Sequence, residues 1–180
     1  TRLVEKSLVV LDEGADGRYR MLETIREFAR EKMLESGERQ QLRVRHLEYC
    51  ALLSETFEVR INGREQVIWH DRLESEYDNV RIATEWSLES RDATSGMRML
   101  GALRSFFFQR HPSEGLDLLR RIVSLPEARG ASVARASALN CKGYLETFEE
   151  DYAAAGKTLD EALGIANQLD DEPTRAKSLL

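Results

Sequence analysis

Apolar positions recur at helical spacing along most of this chain, and they divide it into a succession of amphipathic segments. Leu22, Ile25, Phe28, Ala29 and Met33 share one face of a helix that Gly37 stops. A long helix follows over 38–59, with Leu42, Leu47, Cys50, Ala51 and Phe57 inward and Asn62-Gly63 as its stop. Two more are expected over 64–75 and 76–90, carrying Val67, Ile68, Leu73, Tyr77, Val80, Ala83 and Trp86. After the polar break 91–96, in which Thr94 or Ser95 is the expected cap, Met97, Leu100, Gly101, Leu103, Phe106 and Phe107 carry a helix to Gln109. His111-Pro112 closes it, and Leu116, Leu119, Ile122 and Val123 form a return helix ended by Pro126. The pattern turns extended only near the start. There a short helix at Leu3–Leu8 leads into Val9-Val10-Leu11, turn chemistry at Asp12–Gly17, and an answering strand Arg18–Met21, so 8–21 is expected to be the one β-hairpin.

Within the C-terminal half the pattern repeats. Arg135-Ala136-Ser137-Ala138-Leu139 returns forty residues later as Arg175-Ala176-Lys177-Ser178-Leu179, and Ala155, Leu159, Ala162 and Leu163 fall forty residues after Gly115, Leu119, Ile122 and Val123. A fixed period of this length marks repeats that bury their apolar faces on their neighbours. Gly143 on the first helix of the middle unit is expected to face Ala155 and Ala162 on the second, where two antiparallel helices approach closely. Three consecutive aromatics, Phe106-Phe107-Phe108, cannot all face one core, because each step along a helix turns the side chain by about 100°.

Leu139, Gly143, Tyr152, Ala155, Leu159 and Ala162 stand at the spacing of the signature positions of a tetratricopeptide repeat, and 135–180 resembles a forty-residue repeat of that kind. Lys142 occupies a position usually held by leucine, and the terminal proline is absent. The resemblance implies a superhelix whose concave side is lined by the first helix of each pair. The residues expected to point into that groove are Asn140 and Tyr144, with Thr147 and Phe148 one turn on, and Arg104 and Phe108 forty residues earlier. An amide, a phenol, a guanidinium and aromatic rings would suit a protein or peptide partner. Packing between repeats is the alternative role for Phe108 and Phe148.

A second resemblance covers almost the whole chain. Leu3–Leu8 followed by Gly17-Arg18-Tyr19-Arg20-Met21-Leu22-Glu23-Thr24-Ile25-Arg26-Glu27-Phe28-Ala29 is similar to the winged-helix end of the ATPase module in bacterial multidomain signal-transduction ATPases, NB-ARC-like transcriptional regulators of the LuxR and AfsR type. Leu73–Trp86 is similar to the linker of that family and Ser113–Leu119 to its first repeat. The resemblance implies a nucleotide switch upstream of this chain, with a small-molecule inducer as a further possible ligand. Related modules often carry a histidine that contacts bound ADP where this chain has Leu22. Leucine cannot donate to a phosphate, so on this alignment no cofactor is held here; Leu22 is otherwise a core residue of the helix start.

Composition narrows the chemistry. A net charge of −6 disfavours nucleic-acid binding by this chain, which would need clustered Lys and Arg. No apolar run approaches the roughly 18 residues of a membrane span, the start resembles no signal peptide, and a cytoplasmic location is expected. Cys50 and Cys141 read as buried small hydrophobes in a reducing compartment. The sequence holds no G-x-x-x-x-G-K-[S/T] loop, no G-x-S-x-G elbow, no H-E-x-x-H and no Cys/His cluster. His70 and Glu74 read as a solvated helix pair rather than metal ligands, and Glu149-Glu150-Asp151 as the turn before a helix. Neither a metal nor catalysis is expected.

The expected fold is therefore mainly α. It comprises a partial winged helix with one β-hairpin over 1–37, linker helices over 38–92, and α-helical hairpins stacked as a tetratricopeptide-like superhelix over 93–180, cut short at its C-terminal end. The expected function is a non-catalytic sensor and coupling segment of a nucleotide-switch regulator; a constitutive peptide-binding scaffold is the alternative.

Overall fold

A computed structural model describes residues 2–11, 19–61 and 63–179, which fall into two compact units, Thr1–Arg43 and Val44–Leu180. The described residues are mainly helical with one two-stranded antiparallel hairpin. In the first unit α1 (Arg2–Glu5) leads to β1 (Val10–Leu11), which pairs with β2 (Tyr19–Arg20) in the register Val10↔Arg20 and Leu11↔Tyr19. The turn expected at Asp12–Gly17 lies outside the described residues. Helix α2 (Glu23–Ser36) ends where expected, at Gly37 in the left-handed conformation (φ 72°). Its face is narrower than the sequence suggested: Ile25, Ala29 and Met33 are half-buried at i, i+4, i+8 spacing, whereas Leu22 and Phe28, offset from that row, are exposed.

Helix α3 (Arg39–Arg60) bridges the unit boundary and buries Leu47, Cys50, Ala51 and Phe57; Leu42, expected inside, is exposed. The two helices expected over 64–90 are one, α4 (Gln66–Ser90). No Gly or Pro interrupts it, and Ser75, the candidate break, turns its hydroxyl back to donate to the Arg72 carbonyl at 2.7 Å instead of capping a new start. Leu73, Tyr77, Val80 and Ala83 make its buried row continuous.

The expected single helix over 97–109 is instead two, α5 (Ala93–Gly101) and α6 (Arg104–Arg110). The break falls beside Gly101, where a Cβ would lie 2.9 Å from the Ala138 nitrogen of the next hairpin, and there the Leu103 N–H tightens to the Leu100 carbonyl at 3.1 Å. The cap of α5 is Asp92, which accepts from the Ser95 N–H at 3.1 Å; Thr94 and Ser95 lie already inside the first turn. Helix α7 (Pro112–Val123) starts with proline at its first position, and a 3₁₀ turn at Pro126–Ala128 precedes α8 (Val133–Phe148), α9 (Tyr152–Leu169) and α10 (Glu172–Ser178). Helices α5, α8 and α10 thus begin at Ala93, Val133 and Glu172, in steps of about forty residues. Helix α8 packs on α9 and also on α5 and α7 of the preceding hairpin, and α10 packs on α9 and α8.

Close approach recurs where α8 crosses α9. A Cβ on Gly143 would stand 2.7 Å from Leu159 Cγ, so the nearest neighbours of the α8 glycine are Leu159 and Thr158 of α9. Alanines 155 and 162 are buried on the same helix, where their small size lets the α9 backbone approach its neighbours. The thiols of Cys50 and Cys141 are free and buried, and burial pushes the Cys50 thiol up to about 12, so it stays protonated at neutral pH.

His70 departs most from its expected role. It is 3% exposed, its ring stacked on Phe106 (6.2 Å between centroids) and met edge-on by Phe57 (5.2 Å), with both ring nitrogens unpartnered. Glu74 is bound instead by His111, at 3.1 Å. One turn of α4 separates His70 from Glu74, but α6 covers the former and leaves the latter at the rim. Burial, reinforced by the Arg110 charge, lowers the His70 pKa.

Two predictions follow from this packing. Gly143→Leu should lower stability by about 1–3 kcal/mol, because the added side chain has to displace Leu159. Urea melts should show the shift, and an unchanged midpoint would show that Leu159 can move aside freely. Because the His70 pKa is lower in the folded state, the unfolded chain takes up the proton first as pH falls below about 6.5. The stability His70 contributes is present above that pH and is lost as pH drops through its folded value. His70→Leu should therefore shrink the loss of urea midpoint between neutral and mildly acidic buffer, and an identical loss in both proteins would assign the acid sensitivity to other groups.

Candidate partner-binding face

Helix α6 sets the site through its rotation. Phe106 and Phe107 are fully buried, and the further turn of about 100° brings Phe108 to the surface, 37% exposed. Its ring meets Tyr144 and Phe148 of α8 edge-on, with centroids 5.4 Å and 5.0 Å away. One turn earlier on α6, the Arg104 guanidinium lies over the Tyr144 ring at 5.1 Å. Tyr144 is half-buried and Phe148 is 52% exposed. Four of the six residues singled out from sequence thus form one surface cluster, contributed by consecutive hairpins.

The other two behave differently. Thr147 is exposed beside the cluster, but its hydroxyl donates to the Gly143 carbonyl of its own helix at 3.0 Å. Asn140, expected in the groove, is 2% exposed and donates from Nδ2 to the Thr174 carbonyl at 3.1 Å. The arrival of α10 covers that turn of α8, so Asn140 joins repeat to repeat, a role that only the placement of α10 could reveal.

Helix α8 also carries a polar network, shared with α9. Lys142 donates to Glu146 (2.5 Å) and to Thr158 (2.9 Å), and the Thr158 hydroxyl donates to the other Glu146 oxygen at 2.8 Å. Glu146 is buried and Lys142 nearly so, which accounts for a lysine at a position packed between two helices: its charge is matched one turn along and its contacts tie α8 to α9. The i,i+4 spacing of Lys142 and Glu146 was the available signal, though spacing alone does not distinguish a buried pair from a solvated one.

The cluster sets one guanidinium beside three partly solvent-facing rings. Among the described residues Arg104 has no ion-pair partner, so its charge is free to meet a carboxylate while the rings accept apolar or aromatic side chains. No group of three or more His, Cys, Asp or Glu side chains among the described residues could hold a metal ion. No described helix is long and apolar enough to cross a membrane.

Exposure separates these rings from core aromatics in a measurable way. Phe108→Ala and Phe148→Ala should each cost well under the roughly 3–5 kcal/mol typical of truncating a buried phenylalanine, which Phe107→Ala should approach. Urea denaturation of the three variants checks this ordering, and a Phe148→Ala cost equal to that of Phe107→Ala would make the cluster part of the core.

No family model matches the chain, and no solved structure matches it. Three curated mycobacterial proteins do, each 31% identical over 188 aligned positions: those provisionally named HTH-type transcriptional regulator Mb0914c, from Mycobacterium bovis, and MT0914 and Rv0890c, from two strains of Mycobacterium tuberculosis. The alignments cover 99% of this chain and 21% of each of those proteins, so the chain spans about a fifth of their length. Along nearly its whole length, then, the chain is related to one segment of proteins named as transcriptional regulators.

Proposed function

We propose that the chain is the non-catalytic sensing and coupling segment of a transcriptional regulator. Its helical hairpins bind a protein or peptide partner, and occupancy is passed through the linker helices α3 and α4 to the N-terminal hairpin unit. The observation that carries this reading is the cluster of Phe108, Tyr144, Phe148 and Arg104, built by two successive hairpins and left partly in water. Rings held at fixed separation by helices present contact area with little ordering cost, and the guanidinium adds direction.

On this reading the hairpin and α2 are the end of a winged helix, α5 to α10 are tetratricopeptide-like repeats, and a nucleotide switch of the NB-ARC type lies elsewhere in the parent protein. The relatives are about five times as long as the aligned segment, which leaves room for such a module. A small-molecule inducer acting on the same repeats is compatible with this reading.

A transcriptional reporter driven by the parent regulator tests the coupling role. The double variant Phe108→Ser, Phe148→Ser should lose induction at unchanged protein level and basal output. Full induction in that variant would refute the assignment of the cluster, and loss of partner capture without any change in the reporter would make the repeats a constitutive scaffold. With the 180-residue chain alone, calorimetry against Mg·ATP should show no binding, since no phosphate-cradling loop is present; micromolar binding would place the nucleotide site here.

A further inference from the structure

A cleft of about 420 Å³ opens on the opposite end of α8 from the aromatic cluster, between α3, α5, α8 and α10. Its size lies in the range of small-molecule sites, about 300–1,000 Å³. The charged groups in its wall are Glu55 and Glu58 of α3, Arg98 of α5, and Asp171 and Lys177 at α10. Ala102, Val133 and Pro173 supply apolar surface between them.

The donors and acceptors of this wall are unequal. Arg98 is committed: Nε and Nη2 donate to the two Glu55 oxygens at 2.8 and 3.0 Å, and Nη1 to Glu48 at 3.3 Å. Lys177 is committed to Glu58 across the cleft. The carboxylates are not saturated, because each can accept about four hydrogen bonds. Glu58 takes the Lys177 ammonium, and Asp171 takes the Thr174 N–H at 3.1 Å. Behind the Thr174 wall the buried Asn140 Oδ1 lacks a donor altogether. Three carboxylates against two cations leave the lining net negative, and Glu48 at the rim adds to it. An anionic ligand would find every cation already paired, whereas a ligand rich in N–H donors would find spare oxygens on two sides of the cleft.

We propose that this cleft binds a small organic cation, a diamine or guanidine on a short methylene chain, with its charged ends on Glu58 and Asp171 and its methylenes against Val133 and Pro173. Such a ligand links α3 to α10, elements otherwise joined by the Lys177–Glu58 pair over 119 residues of sequence. Binding by itself is independent of the regulator reading; only its consequence, that the cation stiffens the connection from repeats to linker helix, rests on it.

Calorimetric and thermal-shift titrations of the chain with 1,4-diaminobutane, against 1,4-butanediol and succinate at matched ionic strength, test the proposal. The diamine is expected to bind saturably at one site and raise Tm, and the two controls to do neither. Glu58→Gln and Asp171→Asn, the latter keeping a capping side chain, should each weaken the diamine about tenfold. Val133→Trp, which changes no charge but fills the cleft, should abolish binding. Absence of saturable diamine binding, affinity unchanged across the three variants, or tighter binding of succinate would each overturn the proposal. Because the titration reads the chain by itself, its failure is distinct from a failed reporter response.

Discussion

The helical array is organised by the aromatic node at Phe106 and Phe107. Phe106 lies within ring-contact distance of Phe57 on α3, His70 and Tyr77 on α4, and His111 at the start of α7, so one side chain joins four helices. Phe107 fills the space left by Gly115, where any Cβ would come within 2.4 Å of its ring. Burying two consecutive phenylalanines in different directions requires α6 to be surrounded on most of its circumference, and this holds α3 and α4 against the first hairpin. The exposure of Phe108 is the remainder of the same constraint: with two of three directions taken by core, the third points to solvent beside α8.

Small residues set the spacing elsewhere. Gly101 lets α5 lie against the α8 backbone, and Gly143 makes room for Leu159 of α9. Each such contact is local to neighbouring hairpins, which is why the forty-residue period survives in the helix starts while individual side chains differ from unit to unit. Lys142 illustrates the tolerance. A charge at an apolar position persists because Glu146 and Thr158 close a hydrogen-bonded loop around it.

Two surfaces with different chemistry result on one scaffold. The face at Phe108, Tyr144 and Phe148 is aromatic with a single unpaired guanidinium, whereas the cleft between α3 and α10 is polar and rich in acceptors. They draw on different turns of α8, Val133 to Ser137 for the cleft and Tyr144 to Phe148 for the aromatic face.

The sequence by itself determined the helical class, the hairpin, the helix stop at Gly37 and the forty-residue spacing, because each rests on periodicity, turn chemistry or equivalence between repeats; it grouped Arg104, Phe108, Tyr144 and Phe148 only together with Asn140 and Thr147, and the structure separated the buried Asn140 from them. It placed helix ends less well where a hydroxyl could either cap or bond backward, as at Ser75, and where Asp92 competed with Thr94 and Ser95. Only the tertiary structure decided that His70 is enclosed by Phe57 and Phe106, that Asn140 faces α10, and that Glu58 meets Lys177. Those outcomes depend on which helix arrives over a given turn, and residues separated by tens of positions carry no local pattern that records their meeting.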